Sequence, residues 1–138
     1  MTASRPAPFG RVTLLDEAMD DLALVAARSR VVLVEVFRLL KRLDAGELKP
    51  QPLRDFAKSG DLTDCGKIVV ALPNEAEYRI VVKAHDSTFT VCEVIAVEDR
   101  TQDLPYLLAG LRLGRIGDPV RRSDAGRRVH RIRKILDG

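Results

Sequence analysis

Tryptophan is absent from this 138-residue chain and aromatic residues make up only 4% of it, so the 46% that is apolar must build a core from Leu, Val, Ile and Ala. Its two cysteines, Cys65 and Cys92, stand far apart with no CxxC pair and no cluster of histidines. That excludes the usual zinc motifs and a disulfide framework, leaves two buried thiols as the expectation, and calls for no metal and no cofactor. Long apolar runs are missing too: the longest, Val31 to Phe37, is interrupted by Glu35 and falls far short of the roughly 20 residues of a membrane helix. Met1 to Gly10 holds two prolines and a glycine and lacks the apolar stretch of a signal peptide, so it reads as a disordered leader on a cytoplasmic protein.

The chain length suits one core and one domain. Charge is unevenly spread: from Arg112 to Gly138 nine Lys and Arg face three Asp and Glu, so this stretch carries +6 while the body before it carries −3. A basic segment on a near-neutral body favours polyanions, because each phosphate contacted releases condensed counterions. Nucleic acid or ribosome outranks a membrane as partner; the plainer reading of the same arginines is solubility.

Apolar spacing supplies the elements. Val12 to Leu15 is long enough for a short strand. Behind Asp16 as N-cap, Ala18, Met19, Leu22, Val25 and Ala26 recur at helical intervals. Ser29 caps a second helix through Val32, Val36, Leu39, Leu40 and Leu43 that Gly46 ends, so the two form a helical hairpin. Lys49 to Ser59, with Pro50 and Pro52, reads as an irregular connection pinned by Leu53 and Phe56. Gly66 to Leu72, Tyr78 to Ala84 and Phe89 to Val97 are rich in Val and Ile and read as three antiparallel strands. The expectation is an α+β fold, a small antiparallel sheet packed on an N-terminal helical hairpin that covers one face. A basic helical extension follows, capped by Ser123, with Val129, Ile132, Ile135 and Leu136 as its apolar stripe.

Alternation along Tyr78 to Ala84 puts Arg79, Val81 and Lys83 on the face away from the hairpin. A tight turn at Asp86 and Ser87 sets Arg79 opposite Val94 and brings Arg100 out on Arg79's side. Pairing Leu72 with Tyr78 sets Lys67 opposite Lys83 on the same face. This register aims Glu93 at the apolar face, without an evident partner. Exposed strand faces also carry Lys and Arg simply to keep edges soluble.

The run Asp64-Cys65-Gly66-Lys67-Ile68, then Tyr78-Arg79-Ile80-Val81, then Val94-Ile95-Ala96-Val97-Glu98-Asp99-Arg100, then Tyr106 six positions on, resembles the RelE/ParE superfamily of bacterial toxins, on its RNA-cleaving side. The resemblance spans about Arg11 to Ile116. It implies a RelE-like toxin domain at 11–116, which leaves the disordered leader at 1–10 and the basic helical extension at 117–138 outside the resemblance. It also implies a ribosome-dependent endoribonuclease that cuts mRNA in the A site by metal-independent attack of the ribose 2′-hydroxyl on the neighbouring phosphate. Arg79 and Arg100 match family arginines that stabilise the developing charge, with Arg100 as proton donor to the leaving oxygen. Lys67 matches a lysine that positions or activates the 2′-hydroxyl, and Tyr106 a tyrosine that orients the nucleotide. Ribosome, mRNA and a cognate antitoxin are the implied partners, in a homodimer or a toxin–antitoxin heterotetramer.

Val69 stands where the family often has a second lysine, and Lys83 on the adjacent strand is the substitute the register offers. Lys83 and, on the extension, Arg127, Arg128 and Arg131 are the expected further RNA contacts. Tyr106, following Pro105, reads equally as a core tyrosine at a helix start. Two other readings stay open: a ParE-like or non-catalytic module acting on gyrase or holding RNA, and a structural RNA-binding protein. His85 and His130 fall in a turn and on a solvated face.

Overall fold

Residues 9–86, 88, 89 and 91–137 are described by a computed structural model. The leader expected at Met1 to Gly10 lies mostly outside them, but its last two residues belong to the fold: Phe9 is buried in the core, and the Gly10 N–H donates to Asp44 Oδ2 at 3.2 Å.

A short strand β1 (Val12–Leu14) leads into α1 (Asp16–Arg28) and α2 (Arg30–Asp44). Ser29 caps α2 as its hydroxyl accepts from the Val32 N–H at 3.2 Å. Asp16 is the first helical residue of α1; the capping position is Leu15, which offers no side-chain acceptor. The connection after α2 is more ordered than its prolines suggest. It contains β2 (Gln51–Pro52), which joins the main sheet, and a separate two-stranded ribbon of β3 (Asp55–Phe56) and β4 (Gly60–Asp61). Then come β5 (Cys65–Val70), β6 (Tyr78–Ala84) and β7 (Cys92–Asp99), a 3₁₀ turn at Thr101–Asp103, α3 (Leu104–Arg112) and α4 (Pro119–Asp137).

The five-stranded sheet has the order β1-β7-β6-β5-β2, and β1 runs parallel to β7, so the sheet is mixed rather than wholly antiparallel. Helices cover both of its faces. Ile68, Val70, Ile80, Val82, Val94 and Val97 pack under Val25, Val36 and Leu40 of the hairpin. On the other face Val81, Ile95 and Ala96 lie beneath Leu104, Leu107 and Leu108 of α3 and Val129 and Ile132 of α4. Arg79's face is therefore half covered: Val81, two residues on, is fully buried.

The β6–β7 register also differs from the expected one. The connection is a loop from His85 to Val91, closed by the His85 N–H on the Val91 carbonyl at 2.8 Å, rather than a two-residue turn. Arg79 consequently pairs with Glu98, not Val94. Val81 pairs with Ala96 and Val82 with Val94, so Ile95 is one residue in excess, a β-bulge that flips the phase of β7. The flip puts Glu93 opposite Lys83 instead of in the apolar core. On the other side Lys67 pairs with Val81, two residues from the expected partner, which keeps its side chain on the expected face.

Beyond Val94, β1 no longer covers the edge of β7, and buried charges replace a strand. Asp21 accepts the Val97 N–H at 3.0 Å, and Arg112 donates to the Ile95 carbonyl at 2.9 Å and to Asp21 at 2.6 and 2.8 Å. Arg133 on α4 bridges Asp21 at 2.8 Å and Glu98 at 2.9 Å, and Arg28 donates to Glu98 and, at 2.7 Å, to Asp137. Both faces' helices are thereby tied to one strand edge. The extension is thus a docked helix. It starts at Pro119 under an Asp118 cap (Val120 N–H to Asp118 Oδ1, 2.8 Å) rather than at Ser123, and Ile135 points to solvent. No described helix is long and apolar enough to cross a membrane.

Candidate functional site

Four elements converge at the end of the sheet where β6 begins and β7 ends. Arg79 is the second residue of β6; its side chain is 16% exposed and donates to the Tyr106 hydroxyl at 2.7 Å and to Glu77 Oε2 at 2.6 and 3.0 Å. Arg100 follows the last residue of β7, is 60% exposed, and lies 3.8 Å from the same Glu77 oxygen. Arg79, Arg100 and Tyr106 line one cavity of about 360 Å³, walled by Thr101, Gln102 and Asp103. Gln102 (φ 51°) and Asp103 (φ 58°) both hold the left-handed conformation without being glycine, strain of a kind that persists where the surroundings over-determine it.

Glu77 is the residue sequence reasoning passed over. It sits two positions before Arg79, so both side chains leave the same side of the extended chain, a spacing that was legible in the letters. Its hydrogen bond from Arg79 holds its carboxyl below the usual glutamate range, so at neutral pH it is the counter-ion of the pair.

Tyr106 is the core tyrosine at a helix start that one of its two readings expected, with its hydroxyl at the cavity. Its ring is buried and stacks on Phe56 at 5.3 Å between centroids with planes 7° apart, while its hydroxyl reaches the cavity. The Arg54 guanidinium lies 5.2 Å from the Phe56 ring, so a row of cation, two rings and cation runs from Arg54 to Arg79. Gly110 lets this happen. A Cβ there would stand 2.0 Å from the Ser59 carbonyl, and only hydrogen allows α3 to press against the ribbon that carries Phe56.

Lys67, half-buried on β5, shares the face of Arg79 and acts electrostatically on Glu77, but it does not line the cavity. Lys83 is drawn away from it: four residues along β6, roughly 13 Å of strand, it pairs with Cys65 and Glu93 at the other end of the sheet. It cannot stand in for the lysine missing at Val69, which pairs directly with Arg79. Cys65 is buried, and burial together with Asp64 pushes its thiol up to about 12, so it is no nucleophile.

Arg127, Arg128 and Arg131 line a cavity of about 350 Å³ on α4 together with Lys58 and Arg121, two cations the sequence reading had not singled out. Arg121 donates to the Ala57 carbonyl, and Arg127 pairs with Asp124. Among the described residues no group of three or more His, Cys, Asp and Glu is placed to hold a metal ion.

The chemistry available is that of a recessed polar site the size of a small ligand: two guanidiniums at different depths and a phenol hydroxyl line it with Asp103, and the half-buried Glu77 pairs with Arg79 from outside its lining. Comparison with protein-family models, with curated proteins and with solved structures gives no match to this chain.

Proposed function

We propose that this chain is a RelE-like toxin, a ribosome-dependent endoribonuclease that cleaves mRNA and is held in check by a cognate antitoxin. The observation that carries the reading is the shared cavity of Arg79, Arg100 and Tyr106, residues scattered over 28 positions that the resemblance had singled out. In the reaction the 2′-hydroxyl gives up its proton to solvent and its oxygen bonds to the adjacent phosphorus, while the bond to the 5′-oxygen breaks and that oxygen takes up a proton, leaving a 2′,3′-cyclic phosphate and a 5′-hydroxyl. Negative charge builds on the phosphoryl oxygens and on the leaving oxygen, where positioned cations stabilise it most. Arg79, fixed by Glu77 and Tyr106, takes a phosphoryl oxygen. Arg100, at the cavity mouth and free to move, reaches the leaving oxygen. Glu77 balances Arg79 and stands near Arg100 until the phosphate arrives and displaces it, and Lys67 lends charge from β5.

Primer extension on mRNA after a short pulse of expression tests this. New 5′ ends within translated codons are expected with wild type and absent with Arg100→Ala. Intact mRNA together with DNA-damage signalling would instead favour the second reading, a ParE-like or non-catalytic module. That reading draws on Val69, which leaves the position beside Arg79 without an ammonium group.

A further inference from the structure

Helix α2 buries one side against the sheet and leaves the other without cover. Val32, Val36, Leu39, Leu40 and Leu43 face the core, while Arg30, Val31, Val34, Phe37, Arg38 and Lys41 are exposed. Val31, Val34 and Phe37 are 59%, 67% and 38% exposed and recur every three residues. They therefore make one apolar ridge roughly 9 Å long, unlike the singly scattered apolar residues of any surface. No carboxylate of the helix is left to answer its cations. Glu35 accepts two hydrogen bonds from Arg38, both 2.7 Å, and Asp44 is turned to the N–H groups of Gly10, Arg11 and Val12. The side chains of Arg30 and Lys41, set roughly 16 Å apart along the axis on either side of the ridge, have no ion-pair or hydrogen-bond partner among the described residues.

We infer that the outer side of α2 is a docking surface for an acidic amphipathic helix of another protein. A ridge of side chains three apart fits the groove between rows four apart on a second helix, and that packing crosses at about 20°. The two helices then run nearly side by side. The partner's apolar residues straddle Val34, and its carboxylates reach Arg30 at one end and Lys41 at the other. A second copy does not fit. Whether a twofold axis sets two α2 helices parallel or antiparallel, cation meets cation, Arg30 with Arg30 or Arg30 with Lys41. A lipid surface would meet only Val31, Val34 and Phe37, with little to insert. Helix α2 packs on one face of the sheet and α3 on the other, so a helix seated here leaves Arg79 and Arg100 open, and the inference does not rest on the reading of their cavity.

Fluorescence anisotropy of the full chain with labelled, designed Ala-rich peptides of about 20 residues, long enough to be helical in water, tests the surface. One peptide carries leucines along one face with glutamates beside them; its twin has lysine for every glutamate. The acidic peptide should bind, and the basic one about tenfold or more weaker. Val31→Ser/Val34→Ser should weaken the acidic peptide about tenfold or more. Arg30→Glu/Lys41→Glu should weaken it likewise and improve the basic peptide, a swap that loss of fold cannot produce. Serine is close to valine in helix propensity and all four sites are exposed, so circular dichroism of the variants should match wild type. The proposal is overturned if the acidic peptide does not bind, if either double variant binds it like wild type, or if the basic peptide binds wild type as well as the acidic one. A wild-type dimer in sedimentation that Val31→Ser/Val34→Ser dissolves would give the surface to a second copy. Uptake by phosphatidylglycerol vesicles that the same variant loses would give it to a membrane, and either result overturns the proposal too.

Discussion

Arg79 and Arg100 reach one cavity by different routes, and their substitutions are unequal for that reason. Arg79 is built in, donating to Glu77 and Tyr106, so removing it strips a buried hydroxyl and a carboxylate of their partner together. Arg100 is mostly exposed and touches only the edge of that network. Arg100→Ala is therefore the clean test: about 10²–10³-fold slower cleavage, as when a single charge-stabilising donor is removed, with an unchanged melting temperature. A folded Arg100→Ala protein that still cuts at the wild-type rate would strip the residue of its role. Glu77→Gln separates a counter-ion from a base. As counter-ion its removal frees both arginines and tightens RNA binding about fivefold, the effect of one screened charge near 4 Å, and cleavage persists. A drop of about 10² or more in cleavage rate at unchanged affinity would make Glu77 the proton acceptor instead. The arginines and Tyr106 were legible as letters at telling intervals. The left-handed pair Gln102 and Asp103 was not, because nothing in their identity demands it; the demand comes from turning the chain off β7 onto α3.

Strands and helices were mostly readable, since alternation and helical spacing follow from local geometry. What misled was phase. A seven-residue connection where two were expected, and one surplus residue at Ile95, moved Arg79 from Val94 to Glu98 and brought Glu93 out opposite Lys83. Bulges leave no strong mark in sequence, because the surplus residue is as apolar as its neighbours. Asp21, Glu98, Arg112 and Arg133 were equally hidden: on a helical wheel Asp21 is one more charge on a wet face, yet it is buried against the bare edge of β7. Asp21→Ala would leave Arg112 and Arg133 short of their carboxylate and the Val97 N–H without an acceptor. The expected cost is about 3–5 kcal/mol in urea unfolding, the range for breaking one side of a buried ion pair. A cost under about 0.5 kcal/mol would show that water replaces the carboxylate and that the edge needs no cap.

Charge also governs how the assembled protein responds to acid. Asp64, which accepts from Arg115 at 2.8 and 3.0 Å, is held below its ordinary 3.8 by that arginine. Asp44 is held below the same value by the backbone N–H of Arg11, and Glu77 below 4.5 by Arg79. Each folded value is depressed, so each group's stabilisation is complete above its ordinary value and is lost as pH falls through the lower folded one. The urea midpoint should thus hold steady down to about pH 5 and fall below about pH 4. Asp64→Asn should make that fall shallower, and an acid limb identical to wild type would show that Arg115 does not perturb Asp64. The letters alone settled what depends on neighbours along the chain: the helical hairpin, the Val- and Ile-rich strands, the basic end and the candidate arginines. Packing between distant segments settled the rest, from the covering of both sheet faces to the gathering of Arg79, Arg100 and Tyr106 around one cavity. The reason is that burial, ion pairing and the shape of a groove arise between residues as far apart as the 27 positions from Arg79 to Tyr106 or the 112 from Asp21 to Arg133, and no local pattern encodes which of them will meet.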